Sequence, residues 1–454
     1  MTLLEPQVPH AMTLLNSLYL NGIAADLSET GCGKTYVATY LAKKMDVPTV
    51  VICPKAVIPT WLKVMRSVGI APSVIVNYEK LMRGNLTQYM SYDQVKLAND
   101  RIPTYEAMEI KFPKNALIIV DEVHKCKGVH SLNGNFLIAC KKAGYKLLIM
   151  SATAATNPLE MKAFGYVANL HGLSNFSGWC TQVGAEFNKR HGGMTVDFKS
   201  QKVRDGMKWV HNNLFGVQNI ASRLTREVMK GMFPDNRVYA ESFDMGSNTV
   251  KIQAVYDFME AEIARLDERS QSYRAHVFAE IMKARRLAEI LKVPTLIEMV
   301  EDLYIEGVSP VVFVNFEDTM VSLQKRLAAY GDEIGVIKGG QSAKERERHI
   351  EEFQDNKRRI MLVNLAAGNA GISLHDLKGG FPRHSIVSPS YSAINLVQAL
   401  GRIHRVEGKS PCIQKIIFAA GTIEERCCEK VQAKLNNLDM LNDGDLVGDI
   451  RIWK

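Results

Sequence analysis

Residues 28–35 read SETGCGKT, a glycine-rich octet ending in Lys-Thr that can cradle phosphates. For that chemistry Thr30, Gly31, Cys32 and Gly33 must turn backbone N–H groups toward phosphate oxygens. Lys34 would supply a point charge, and the Thr35 hydroxyl would ligate Mg²⁺. Ser28 stands where the pattern G-x-x-x-x-G-K-[ST] has its first glycine. The apolar IAADL before the octet and the helical YVATYLAKKM after it give the strand–loop–helix setting that such a loop requires.

A second segment, LIIVDEVH (117–124), ends an apolar run in two carboxylates. Asp121 at the strand tip can hold the metal, directly or through water, and Glu122 can orient and deprotonate an attacking water. On its own this is equally an exposed acidic turn; with the octet upstream it reads as the second half of an ATP and Mg²⁺ site. His124 either couples this segment to its neighbours or is a packed imidazole. A third segment, QALGRIHRVEGK (398–409), is basic. Arg402 and Arg405 are three apart, which on a helix puts them on one face. Their guanidinium forks suit the charge that spreads over γ-phosphoryl oxygens in the transition state, and Gln398 can touch the γ-phosphate from the same side. The plainer reading is a basic surface helix.

Strands must carry these groups. Short β-branched runs recur at TVVIC (49–53), SVIVN (73–77), ALIIV (116–120) and KLLIM (146–150). A second series follows at PVVFVN (310–315), IMLVN (360–364), HSIVS (384–388) and QKIIF (414–418). Near-continuous apolar runs suit parallel strands buried on both faces. Ser342 with Glu345, and Thr422 with Glu425, fit capping boxes at helix starts. Two α/β lobes are expected: a first over 1–245, a helical linker or lobe boundary over 246–305, and a second over 306–454. Residues 175–235 carry no motif. Within them Lys189-Arg190-His191-Gly192-Gly193 is either a basic finger that meets a duplex junction or a solvated loop.

Bulk properties agree. With 454 residues, 46% hydrophobic and 23% charged, the chain has room for two ordinary cores. No run approaches the ~20 apolar residues that cross a bilayer, and MTLLEPQVPH has no secretory pattern, so a cytoplasmic protein with no membrane partner is expected. The eight cysteines have no C-x-x-C or zinc spacing and read as reduced thiols. A net charge of +8 is compatible with a polyanionic partner without requiring one.

These segments occur in a fixed order, and in that order the chain resembles a superfamily 2 helicase or translocase. It is most similar to the Swi2/Snf2-like branch and to phage branch-migration helicases. VICPKAVIPTW (51–61) resembles motif Ia, MSATAATNPLEM (150–161) motif III, GVIKGGQSAKERERHIEEFQ the segment after motif IV, NLAAGNAGISL (364–374) motif V and 398–409 motif VI. LTREVMKGMFP (224–234) resembles the segment that closes the first lobe in Snf2-like proteins. Motif II as DEVH, Ser373 in place of the usual Asn, and the mixed GRIHR depart from any one subfamily.

The resemblance implies two RecA-like parallel-sheet lobes in tandem with the ATP site between them. It implies Gln7 as an adenine reader and Gly371 as a further nucleotide contact. It places Lys55, Ser151, Thr153, Thr156, Asn157, Gly368, Asn369 and Ser373 on strand-end loops that grip a phosphate backbone. The expected activity is that of an ATP-dependent DNA helicase or translocase remodelling forked or branched DNA, a monomer in a bacterial or phage-infected cell. A protein-stripping duplex translocase, an RNA helicase and a nucleotide-gated scaffold are the rivals.

Overall fold

The computed structural model describes residues 2–82, 86–93, 103–128, 131–152, 154–155, 157–188, 193–197, 200–225, 227–229, 231–243, 245–266, 272–368, 372–389, 393–422 and 424. The chain divides into two compact units, the first running to Lys230 and the second beginning at Gly231.

In the first unit the strands are β1 (Ile23–Asp26), β2 (Thr49–Cys53), β3 (Val74–Asn77), β4 (Met90–Tyr92), β5 (Met108–Ile110), β6 (Leu117–Asp121), β7 (Lys146–Met150), β8 (Glu186–Asn188), β9 (Gly193–Thr195) and β10 (Ala221–Ser222). Six form one parallel sheet in the order β10-β1-β7-β6-β2-β3, while β4 with β5 and β8 with β9 make small antiparallel pairs. The pleat explains why apolar residues run continuously. Ile118 and Val120 of β6 enter one core with Phe136 and Ile149. Leu117 and Ile119 enter the opposite core with Leu14, Leu41 and Trp61. That second face is covered by α1 (Gln7–Leu20), α2 (Lys34–Met45) and α3 (Ile58–Ser67). Each fully buried Leu or Ile there is worth roughly 1.5–3 kcal/mol over exposure.

The second unit is built on β11 (Asn236–Phe243), β12 (Ser309–Val314), β13 (Ile334–Ile337), β14 (Ile360–Asn364), β15 (Arg383–Val387) and β16 (Cys412–Ala419). They form a parallel sheet in the order β11-β16-β15-β12-β14-β13.

The boundary expected at 245/246 is thereby corrected. β11 pairs along its whole length with β16, so the second unit starts inside 224–234. NRVYAESF shows no apolar run because, among the described residues, β11 is an edge strand paired with β16 alone. Nor are 246–305 a linker. Helices Ser247–Ala264, Tyr273–Leu291 and Val293–Ile305 send Ile252, Tyr256, Ala288, Leu296 and Val300 into the same core as Val312, Leu362 and Ile417. The buried Lys292 ammonium is neutralised by Glu424, which also accepts from Tyr256 Oη and the Ala419 N–H.

Ser342 caps its helix by accepting from the Glu345 N–H. Thr422 Oγ1 accepts from Glu424 N–H, while Glu425 lies outside the described residues. Among the described residues no helix is long and apolar enough to cross a membrane.

Candidate functional site

β1 delivers the chain into the 28–35 loop, and α2 begins at Lys34. Gly31 and Gly33 hold φ of 94° and 85°, a left-handed backbone that favours glycine. At Gly33 a Cβ would also lie 2.4 Å from Gln7 Nε2. That amide donates to Cys32 O at 2.9 Å, so α1 and the loop are tied together where the resemblance placed an adenine reader. Lys34 Nζ donates to Ser28 O at 2.6 Å and Glu29 O at 3.0 Å, closing the loop over its own carbonyls. Thr35 is half-buried in the first turn of α2 and Thr30 is buried. Cys32 is wholly buried, its carbonyl accepting from Gln7 and its N–H donating to Glu29 O at 3.3 Å.

Ser28 is also wholly buried. Its N–H donates to Asp26 Oδ1 at 3.0 Å and its hydroxyl accepts from Leu224 N–H at 2.9 Å. The departure from glycine therefore anchors the loop to the segment after β10. Behind it, His10 Nε2 lies 3.3 Å from Asp26 Oδ1 and His10 Nδ1 2.7 Å from Ser222 Oγ. Burial works against the Asp26 charge, but the His10 and Lys34 charges and the His10 and Ser28 hydrogen bonds hold its carboxyl below the usual range.

Asp121 ends β6. Trp61 Nε1 of α3 donates to its Oδ2 at 2.9 Å, and Tyr78 Oη donates to its backbone carbonyl at 2.6 Å. Burial, then the neighbouring Glu122 carboxylate, pushes the Asp121 carboxyl up to about 7, against the pull of Trp61, Lys34 and the Glu122 backbone N–H. A buried carboxylate with one indole as its side-chain donor, within reach of the Lys34 charge, fits a hard divalent cation beside a phosphate chain. Glu122 takes a left-handed backbone, φ 61°, which a non-glycine residue adopts at a cost and which recurs at functional sites.

His124 Nδ1 lies 3.2 Å from Glu122 Oε2 and 3.4 Å from Ser151 Oγ. The imidazole thus joins motifs II and III. This corrects the expectation for Ser151: it is wholly buried, and its N–H donates to Asp26 O, so it links core elements and presents nothing to a polymer. Asn157 Oδ1 accepts from Leu159 N–H as a helix cap. Lys55 is exposed. Thr153, Thr156 and 189–192 lie outside the described residues.

In the second unit Gln398 is buried on the helix Ala393–Leu400. That helix stops before Gly401, so Arg402 and Arg405 do not share a helical face as expected. They lie in the following loop and converge another way. Arg402 Nη1 and Arg405 Nη2 both donate to Ile372 O, at 3.4 Å and 3.2 Å, and Leu374 N–H donates to Arg402 O at 2.8 Å. Motifs V and VI are thus knitted together. Ser373, between Ile372 and Leu374 in motif V, is partly exposed. Gly368 ends the short helix Leu365–Gly368, whose Ala367 carbonyl accepts from Arg346 Nη2 at 2.7 Å. Asn369 and Gly371 lie outside the described residues.

Sequence reasoning missed Trp61, Tyr78, His10, Asp26 and Arg346. Trp61 alone gave a signal, since a buried indole N–H needs an acceptor.

Residues 291–407 match the family model described as the helicase conserved C-terminal domain. The chain is 32% identical over 457 residues, 97% of its own length and 84% of the other's, to the putative ATP-dependent RNA helicase L364 of Acanthamoeba polyphaga mimivirus. It is 21% identical to the Caenorhabditis elegans homologue of SWI/SNF-related matrix-associated actin-dependent regulator of chromatin subfamily A-like protein 1, over 91% of this chain and 58% of that protein. The SWI2/SNF2 ATPase core of Sulfolobus solfataricus, solved in complex with dsDNA, matches over 100% of this chain and 98% of its own, with 15% identity and a TM-score of 0.37.

Proposed function

Since this chain belongs to the Swi2/Snf2-like branch of the superfamily 2 helicases, which are ATP-hydrolysing enzymes, we propose that it uses ATP to move along DNA and remodels forked or branched duplexes. The observation that carries the reading is the gathering, in one unit, of the Lys34 loop, the Gln7 tether and the hydrogen-bonded, charge-strained Asp121.

Lys34 would exchange its hold on Ser28 and Glu29 carbonyls for phosphate oxygens. Thr35 and Asp121 would hold Mg²⁺, whose charge offsets that of the phosphates. Glu122, steadied by His124, would take the proton of the attacking water. Arg402 and Arg405 would offer their forks to the developing charge. The His124 bridge gives the hydrolysis site a route to the motif III loop.

The +8 charge and loops with little to read bases are compatible with either nucleic acid, and the preference for DNA rests on the Swi2/Snf2-like resemblance. Grip would be on phosphates and selectivity would come from shape. Residues 189–193 are the candidate junction contact. A second reading, RNA, is favoured by the name of the mimivirus relative. The test is ATPase stimulation by single-stranded, duplex, forked and four-way DNA and by RNA. Stimulation greatest with branched DNA, with strand displacement, is expected. Equal stimulation by linear duplex without displacement points to protein stripping, and stimulation by RNA alone overturns the DNA reading.

A further inference from the structure

Away from every motif, in the stretch 175–235, helices Phe176–Gln182 and Gln201–His211 enclose a cleft of about 480 Å³. The volume is within the range of small-molecule sites. Two of the chain's four tryptophans meet there. Trp179 is almost wholly buried, backed by the His171 ring at 4.7 Å. Its Nε1 has no hydrogen-bond partner among the described residues. That donor is buried within the wall, so what Trp179 gives the cleft is an apolar back rather than a hydrogen bond. Trp209 leaves 44% of its surface exposed at the rim. The lining also includes the Gln182 amide, the Lys202 ammonium and the Asp205 carboxylate, whose Oδ1 accepts from Gln201 Nε2 at 2.9 Å. The two helices approach too closely for any side chain at Gly206, where a Cβ would sit 2.1 Å from Val183 O. The wall of the cleft is therefore fixed by backbone contact.

We propose that this cleft takes an unstacked nucleobase of the strand on which the motor works, with the adjoining phosphate on Lys202. The exposed Trp209 face can stack on any base, which suits an enzyme that reads no sequence. Hydrogen-bonding groups of both senses at Gln182 and Asp205 meet base edges. The exposed Lys202 and Lys208 on the same helix favour a polyanion over an apolar peptide. The proposal rests on the nucleic-acid reading above, and it adds a contact with bases to a grip otherwise confined to phosphates.

The test is titration of the full chain, followed by tryptophan fluorescence, with an oligothymidylate and with an abasic strand of equal length. Wild type is expected to be quenched by the oligothymidylate and to bind the abasic strand about tenfold more weakly. Trp209→Ala should lose that preference and bind both strands alike, while Trp209→Phe, which keeps an aromatic face, should retain it. Lys202→Gln should weaken both strands and lower the salt dependence by about one counterion. Equal affinity of wild type for the two strands, or an intact preference in Trp209→Ala, overturns the proposal. Quenching by neither strand does the same. Failure of duplex or branched DNA to stimulate ATPase, with the base preference intact, would instead sink the functional reading and leave the cleft standing.

Discussion

Two buried aspartates, one in each unit, show what separates architecture from a site. Asp376, in the loop that enters β15, accepts from the Lys378 and Gly379 N–H groups and Asn356 Nδ2 on one oxygen, each at 3.0 Å. Its other oxygen accepts from Ser410 Oγ at 2.6 Å and the Phe381 N–H at 3.4 Å. The wholly buried Arg383 guanidinium lies 3.8 Å away. Burial opposes its charge, but Ser410, the two N–H groups and Arg383 outweigh burial and hold its carboxyl below the usual range. Asp121 is also buried, yet its carboxylate has Trp61 as its hydrogen-bonding side chain and Glu122 as a repelling neighbour, and it is pushed up to about 7. A fully answered charge organises a fold. A poorly answered one has a use for a cation.

The sharpest way to break this contrast is at the first unit. Lys34→Ala should abolish turnover through loss of nucleotide binding, and Glu122→Gln should bind ATP without hydrolysing it. Asp121→Asn should cut turnover by about a thousandfold or more while the melting temperature stays level or rises, because a neutral amide suits the buried place. A large fall in melting temperature would make Asp121 structural. Arg405→Lys keeps the charge and loses the fork, so steady-state ATPase should drop by about a thousandfold with ATP affinity little changed.

Asp376→Asn probes the other side. It leaves buried Arg383 without its counter-charge and should cost about 3–5 kcal/mol in denaturant unfolding. His124→Ala, which unlinks Glu122 from Ser151, should slow single-turnover hydrolysis by about a hundredfold at unchanged ATP affinity. The smallest effect is in pH. A carboxyl whose folded value lies below its unfolded one stabilises above about pH 4 and loses that contribution as pH falls through the folded value. The melting temperature of wild type should therefore fall more steeply than that of Asp376→Asn in acid.

How much of this is legible in the sequence depends on burial. TVVIC, KLLIM and IMLVN coincide with β2, β7 and β14, because a strand covered on both faces must be apolar throughout. β10, of two residues, and the edge strand β11 carry no such signature, so apolar patterning alone misplaces the domain boundary. At the site, the loop, Asp121 and Glu122 are readable because chemistry restricts residue type and spacing together. The partners that hold them are not. Trp61 and Tyr78 reach Asp121 from segments 60 and 43 residues away in sequence, a separation that only the fold closes. The arginines fail differently. Their spacing suggests a helical face, but the helix ends at Leu400, and a carbonyl of motif V draws them together.

β11 also shapes how the second unit is made. It emerges from the ribosome ahead of the three helices Ser247–Ala264, Tyr273–Leu291 and Val293–Ile305, yet among the described residues its one neighbour in the sheet is β16, the last strand described in the unit. Nearly the whole unit must be synthesised before that edge is paired, and pairing so distant in the chain is slow. Until then the nascent chain carries an open strand that can join a foreign edge. A ribosome that pauses between β15 and β16 would therefore hold the product at its most aggregation-prone moment, and a truncated chain begun at residue 246 would leave the outer edge of β16 permanently bare.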